Sequence, residues 1–340
     1  MTEKCAVVLF NLGGPDGPDA VRPFLFNLFN DPAIIGAPTP IRWLVAKLIS
    51  ARRAPVAREI YDNLGGGSPL LTNTQAQADA LEIALGGETH CFVAMRYWHP
   101  LAAETAARVK AFAPDRIVLL PLYPQFSTTT TASSLRDWRS AAKKAGLDVP
   151  TQAICCYFGD AGFIEAIAAR VRAAIDAVSD RQPRVLFTAH GLPQRVVAAG
   201  DPYEWQIEQT AEAIVSAVDR PNLDWIVCYQ SRVGPLEWLK PYTSEVLEAA
   251  GRDGKPVIVV PIGFTSEHSE TLVELDIEYR ALAEKAGVSR YDRIDTVGAN
   301  VTFIEGLADL VRRTIADGAP LSSHGGTCRC PDAFADCPFR

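Results

Sequence analysis

The chain has 340 residues, enough for one large or two medium domains, each with its own core. With 48% hydrophobic and 21% charged residues it is an ordinary globular composition, neither disordered nor fibrous. A net charge of −7 without any Lys/Arg block argues against nucleic acid as a partner, and no apolar run approaches the roughly 20 residues that span a bilayer.

The opening MTEKCAVVLFNLGG lacks the basic, apolar and small-residue succession of an export signal. It reads as a first strand, AVVLFNL (6–12), and a cytoplasmic protein is expected. The segment 24–49, FLFNLFNDPAIIGAPTPIRWLVAKLI, ends beside Arg52 and Arg53. It reads either as core or as an apolar lip around a pocket for a flat ligand, resting on a membrane surface. GGGSPL (65–70) lacks the Lys-Ser/Thr ending of a phosphate loop and NLGGPDGP is no GxGxxG, so no nucleotide is expected.

Further apolar, β-branched runs follow: THCFVAM (89–95), RIVLLPL (116–122), TQAICCY (151–157), RVLFTA (184–189), DWIVCY (224–229) and PVIVVPI (256–262). Ala-rich amphipathic stretches such as 102–113 and 161–178 lie between them. Near-continuous hydrophobic strands separated by helices imply parallel sheets covered on both faces. The expected division is 1–158 and 159–312, two α/β units, with a cysteine-bearing tail over 313–340. AVVLFNLGGPDG is echoed by RVLFTAHGLPQR (184–195), either a duplicated half or a chance likeness of two strand-to-helix turns.

In such sheets ligands bind beyond the carboxyl ends of the strands. His190 directly follows RVLFTA, and Gly191 and Pro193 turn the chain away. An imidazole there can accept a proton near neutral pH, or simply bond a loop carbonyl. After the last strand comes FTSEHSETLVELDIEY (264–279). A helix starting near Ser266 would gather Glu267, Glu270, Glu274 and Glu278 into an arc of about 80°. Leu272, Leu275, Tyr279 and Leu282 would face the core. The acidic stripe is either a solvated face or, with His268, a loose site for a divalent ion such as ferrous iron. The hydroxyl-rich YPQFSTTTTASS (123–134) leads into a helix and suits a carboxylate or phosphate.

Of eight cysteines, five are scattered and three crowd the end as C-x-C-x6-C: Cys328, Cys330 and Cys337. The scattered ones read as small buried hydrophobes, and a disulfide framework is not expected. Three thiolates need a fourth ligand from elsewhere, and the spacing leaves iron–sulfur, zinc and free thiols open.

Taken together and in order, several motifs resemble the ferrochelatase family, which inserts ferrous iron into a porphyrin. They are FNLGGPD (10–16), FNDP (29–32), GGGSPL (65–70), MRYWHP (95–100) and LPLYPQFSTTTTASS (120–134). FTAHGLP (187–193), YQSRVGPLEWLKPYT (229–243) and FTSEHSETLVELDIEY (264–279) complete the set. The resemblance implies two Rossmann-like domains with a porphyrin cleft between them, and a lyase that makes protoheme from protoporphyrin IX as the last step of heme biosynthesis. It implies His190 as the active-site imidazole, a proton acceptor or a ligand to the substrate iron, and Glu270 as its carboxylate partner. Glu274 and Glu278, with Glu267 and His268, form the acidic column. Arg96, Tyr97, Tyr123, Ser127, Trp238 and Leu12 match cleft-lining positions. The tail resembles that of family members carrying a two-iron, two-sulfur (2Fe–2S) cluster on three C-terminal cysteines. Animal members space them C-x2-C-x4-C and draw the fourth ligand from a position where this chain has Thr128, so Cys155 or Cys156 is the expected fourth ligand. Peripheral contact with the inner membrane face and a monomer or homodimer are expected. The competing reading is a heme or metal carrier on the same scaffold, without turnover.

Overall fold

The computed structural model describes residues 3–178, 182–327 and 329–340. They form two compact units. The first comprises Met1–Tyr123, Ser127–Cys155 and Val311–Ser322; the second comprises Pro124–Phe126, Cys156–Leu310 and Ser323–Arg340.

In the first unit, strands β1 (Cys5–Asn11), β2 (Thr89–Met95), β3 (Arg116–Pro121) and β4 (Thr151–Ile154) arise where the sequence has its unbroken apolar runs. β1, CAVVLFN, is buried along its whole length, as a strand covered on both faces must be. It pairs in parallel with β2 from Cys5↔Thr89 to Asn11↔Met95, and with β3 on its other edge. Ala102, Ala106 and Val109 of the helix Ala102–Phe112, with Trp138 of Thr131–Ala145, pack against β1–β4. Burial of Val109 contributes about 1.5–3 kcal/mol relative to exposure, and each alanine methyl about 0.8 kcal/mol. Beyond β1, Gly13 has φ +85°, and a Cβ there would lie 3.0 Å from the Trp98 amide nitrogen, so only glycine fits that turn.

In the second unit, β5 (Arg184–His190), β6 (Asp224–Gln230) and β7 (Val257–Pro261) are again parallel, joined by the short β8 (Tyr291–Arg293). The short β9 (Leu321–Ser322) closes the first sheet against β4. Strand order is β2-β1-β3-β4-β9 in one sheet and β6-β5-β7-β8 in the other. Relabelled from their own first strand, the second runs 2-1-3-4 and the first runs 2-1-3-4 with β9 added at its edge. The strand whose sequence is echoed is the same strand of each sheet, which favours the duplicated half over chance.

Two details differ from the sequence reading. β4 stops at Ile154 instead of reaching Tyr157, because the chain leaves the ladder where the Cys155 amide bonds the Ser322 carbonyl. β8 and β9, three and two residues long, are too short to carry a pattern. The apolar segment 24–49 divides: Phe24 and Leu25 are core with Val21, Ala54 and Tyr97, whereas Ile41, Trp43, Leu44 and Leu48 are exposed on the helix Thr39–Asp62. No helix among the described residues is long and apolar enough to cross a membrane.

Candidate active site

In the second unit β5 is flanked by β6 and β7, so the crevice for a ligand falls at the carboxyl ends of these strands. His190 is the last residue of β5. Its carbonyl accepts a hydrogen bond from Tyr203 Oη (3.0 Å), and the next amide, Gly191, donates to the Gln230 carbonyl (3.0 Å). A Cβ at Gly191 would lie 3.2 Å from that carbonyl oxygen, so glycine lets the chain pass close to β6. These bonds fix the imidazole's base. Its Nδ1 lies 2.9 Å from Glu270 Oε2, while Nε2 takes no hydrogen bond among the described residues. The imidazole is 38% exposed and the Glu270 carboxyl 23%. The Trp238 ring stands edge-on to it, with centroids 6.2 Å apart.

Burial alone would push Glu270 up. The His190 charge and hydrogen bond, His268 and the Ser231 hydroxyl outweigh it and hold the carboxyl at about 2. For His190 burial works downward, but Glu270 and, more weakly, Glu274 raise it above the ordinary imidazole value. The two shifts describe one ion pair.

Glu270–Tyr279 is a π-helix, not the α-helix expected from Ser266. Such wide turns are rare and concentrate at functional sites. Glu274 sits beside Glu270 and accepts from the Ser231 amide (2.8 Å), the Ser231 hydroxyl (2.5 Å) and Gln230 Nε2 (3.2 Å). The same hydroxyl is 3.2 Å from Glu270 Oε2. Burial and the Glu270 charge raise Glu274 above the usual carboxylate range despite those bonds. Leu275 is core as expected, with Tyr279 and Leu282 packed against the same cluster.

The other members of the expected acidic column separate. Glu267 precedes the helix and turns to Arg293 Nη1 (2.8 Å) and the Thr296 amide (2.7 Å), so it does not extend the stripe. Glu278 is exposed. His268 is buried against Phe264, its Nε2 4.0 Å from Glu270 Oε1, and burial pushes its pKa down.

A second cluster lies at the ends of the first sheet. Asp31, from FNDP, has no side-chain exposure and accepts from Arg96 Nη2 (2.8 Å), Tyr97 Oη (2.8 Å) and the Ser133 hydroxyl. Burial raises its pKa, but Ser133, the Ala33 amide, Arg96 and Tyr97 together bring it below the ordinary value. Arg96 also faces Asp137 at 3.6 Å, so two carboxylates meet its single charge. Leu12 packs beside Tyr97. Tyr123 packs on the first sheet's core. Ser127 is fully buried, its hydroxyl engaged with Thr129.

The ferrochelatase family model matches residues 4–315 of the chain. Ferrochelatase of Caulobacter vibrioides is 53% identical over 346 aligned positions, covering 100% of this chain and 99% of the relative. That of Pelagibacter ubique is 46% identical, covering 98% of each. The chain belongs to the ferrochelatase family. It is accordingly a metal-chelating lyase that inserts iron into protoporphyrin to make heme. Among solved structures, the sirohydrochlorin chelatase SirB of Bacillus subtilis subspecies spizizenii with cobalt has a similar fold, with TM-score 0.53 and 13% identity, over 92% of this chain and 96% of that one.

Ferrochelatase motifs thus account for both strand-end clusters, and the tail is a third feature. Cys330 and Cys337 are buried on the second unit. Gln206 Nε2 donates to Cys330 Sγ (3.2 Å), Phe334 packs on Trp205, and the Asp336 amide bonds the Gly200 carbonyl. Cys328 lies outside the described residues. Cys155 and Cys156 are both buried, and the Cys156 carbonyl accepts from the His324 amide just ahead of the tail cysteines. Among the described residues no group of three or more His, Cys, Asp or Glu is arranged to hold a metal ion.

Sequence reasoning passed over Ser231, Gln230, Asp31 and Arg293. Ser231 and Gln230 lie in the strand-end stretch YQSRVGP, so the carboxyl-end rule pointed to their neighbourhood, whereas Asp31 follows a helix and Arg293 ends a strand too short to carry a pattern. Their roles depend on partners between about 17 and 100 positions away, which no local pattern encodes.

Proposed function

We propose that His190 accepts the pyrrole protons one at a time at Nε2, passing the first to solvent before it takes the second, while Glu270 holds its Nδ1 side and stabilises the imidazolium formed each time. The 2.9 Å His190–Glu270 pair, with Nε2 left unbonded, carries this reading. The chemistry needs an acceptor that is neutral before the proton arrives and stabilised afterwards, and an ordered carboxylate partner supplies the second condition. Glu270 and Glu274 offer paired oxygens suited to a hard or borderline divalent ion on its way to the ring. Ring distortion would draw on binding of the remote macrocycle. Arg96, Tyr97, Tyr123, Ser127, Leu12 and Trp238 are assigned to porphyrin contact. Because Asp31 and Asp137 already meet its charge, Arg96 contributes position there more than net positive potential. Metal insertion by purified protein, followed by loss of porphyrin fluorescence, tests the reading. Wild type is expected to turn over and His190→Ala to lose at least about 100-fold in kcat; an active His190→Ala variant would remove the imidazole from the mechanism.

The tail supports a resident 2Fe–2S cluster held by Cys328, Cys330, Cys337 and either Cys155 or Cys156. The donor set fits in one testable respect: the Gln206 amide aims its N–H at Cys330 Sγ, the outer-shell bond that suits a thiolate ligand. When bound, such a cluster would tie the tail to the folded unit; chelation itself involves no net electron transfer. A brown chromophore in wild type, lost in Cys337→Ser, is the expected result, and a colourless protein containing stoichiometric zinc would refute it.

The exposed Ile41, Trp43, Leu44 and Leu48, beside Lys47, Arg52 and Arg53, support peripheral contact with an anionic membrane surface. Sedimentation with anionic vesicles, expected for wild type and weakened in Trp43→Ser/Leu48→Ser, tests it.

A further inference from the structure

Ser231 is the first residue beyond β6 and has φ +63°. A non-glycine residue in that left-handed region is uncommon, and such outliers gather where surrounding structure has a use for them. The side chain at this position has an evident use. The amide and hydroxyl of Ser231 occupy both oxygens of Glu274, and the hydroxyl also reaches Glu270 Oε2, the oxygen that faces His190 Nδ1. One residue of β6's end therefore touches two carboxylates carried by a different element, the π-helix after β7. Gln230, 1% exposed, adds its Nε2 to Glu274 from the same strand end. Glycine would satisfy the backbone more easily but could not supply the single hydroxyl proton that lies between the two carboxylates.

We infer that Ser231 is a positioning residue of the chelation site, locking Glu270 and Glu274 into one unit whose spacing the π-helix alone does not fix. The inference rests on the functional reading above and deepens it: the paired carboxylates are what a divalent cation would meet, and Ser231 sets how they are presented. Outer partners that orient carboxylates toward a metal typically matter at the 10- to 100-fold level in affinity or activity.

Three variants separate this role from a structural one. Ser231→Gly suits the left-handed backbone and should melt no lower than wild type, yet lose about 10- to 100-fold in kcat for metal insertion. Ser231→Ala should lose a similar factor. Ser231→Thr keeps the hydroxyl in a conformation that a β-branched residue tolerates poorly, so it should melt lower while recovering most of the turnover. Porphyrin KM should stay within about twofold of wild type in all three, as for loss of an interaction that does not touch the macrocycle. Wild-type turnover in the glycine and alanine variants would overturn the inference. So would a raised porphyrin KM with kcat unchanged, which would make the hydroxyl a substrate contact. A wild type that inserts no metal would overturn the functional reading along with it; active wild type with equally active variants would overturn this inference alone.

Discussion

The two strand-end clusters are built on sheets that share the order of their first four strands, yet they spend their charges differently. In the first unit Asp31 takes four donors, Arg96 faces two carboxylates, and the set closes on itself. In the second unit His190 commits Nδ1 to Glu270 and keeps Nε2 and part of its ring open, while Glu274 is raised above the usual carboxylate range. A shared scaffold thus supports one cluster that stabilises and one that can react. What separates them is not the number of ionisable groups but how many valences remain unspent.

Loss of a reactive group and loss of a structural one should therefore read out most strongly in different measurements. The largest effect is expected for Glu270→Gln: kcat for metal insertion falls at least about 100-fold, and the stability that the lowered carboxyl contributes at neutral pH is lost with it, so the urea midpoint also drops. Asp31→Ala should act mainly on stability, costing about 3–5 kcal/mol in urea denaturation because it leaves buried donors and part of Arg96's charge unmet. An unchanged urea midpoint there would erase the contrast between the clusters. The smallest effect is expected for Glu278→Gln, whose exposed carboxyl has no part in the His190–Glu270–Ser231–Glu274 chain; kcat should stay within about twofold of wild type, given that surface changes away from such features are usually near neutral. A large loss would restore Glu278 to the acidic column.

The parallel α/β architecture was legible because each long strand is an unbroken apolar run, as in CAVVLFN and VIVVP, and such runs have one stable setting. His190 was legible because it sits where one of those runs stops, and Glu270 as its partner through the resemblance to the ferrochelatase family. The helix after β7 was read with the wrong period: a π-helix leaves no separate mark in a sequence, since Glu270 and Glu274 are four apart in either geometry. Glu267 was grouped with them by spacing, but Arg293 from β8, a strand too short to recognise, draws it aside. The segment 24–49 looked uniform because apolar content does not say which face is covered, and only packing divides Phe24 from Leu48. Ser231 escaped notice because a serine after a strand is commonplace; its backbone angle and its two carboxylate partners exist only in the fold.

The pH dependence follows from the paired shifts. Glu270, held at about 2, adds stability that is present above the ordinary carboxylate range and lost as pH falls from there toward 2. His190, raised, adds stability that is full below the ordinary imidazole value and lost as pH climbs through its folded value. Proton acceptance needs the opposite form, neutral imidazole, so turnover should rise over that same upper range. The most direct test is the pH profile of kcat for zinc insertion in wild type and Glu270→Gln. Wild type should rise through a midpoint above the ordinary imidazole value of about 6.5. In Glu270→Gln, where burial acts on His190 without its main opposing charge, the residual rate should rise through a lower midpoint. Identical midpoints in the two proteins would contradict an imidazole whose proton affinity is set by Glu270.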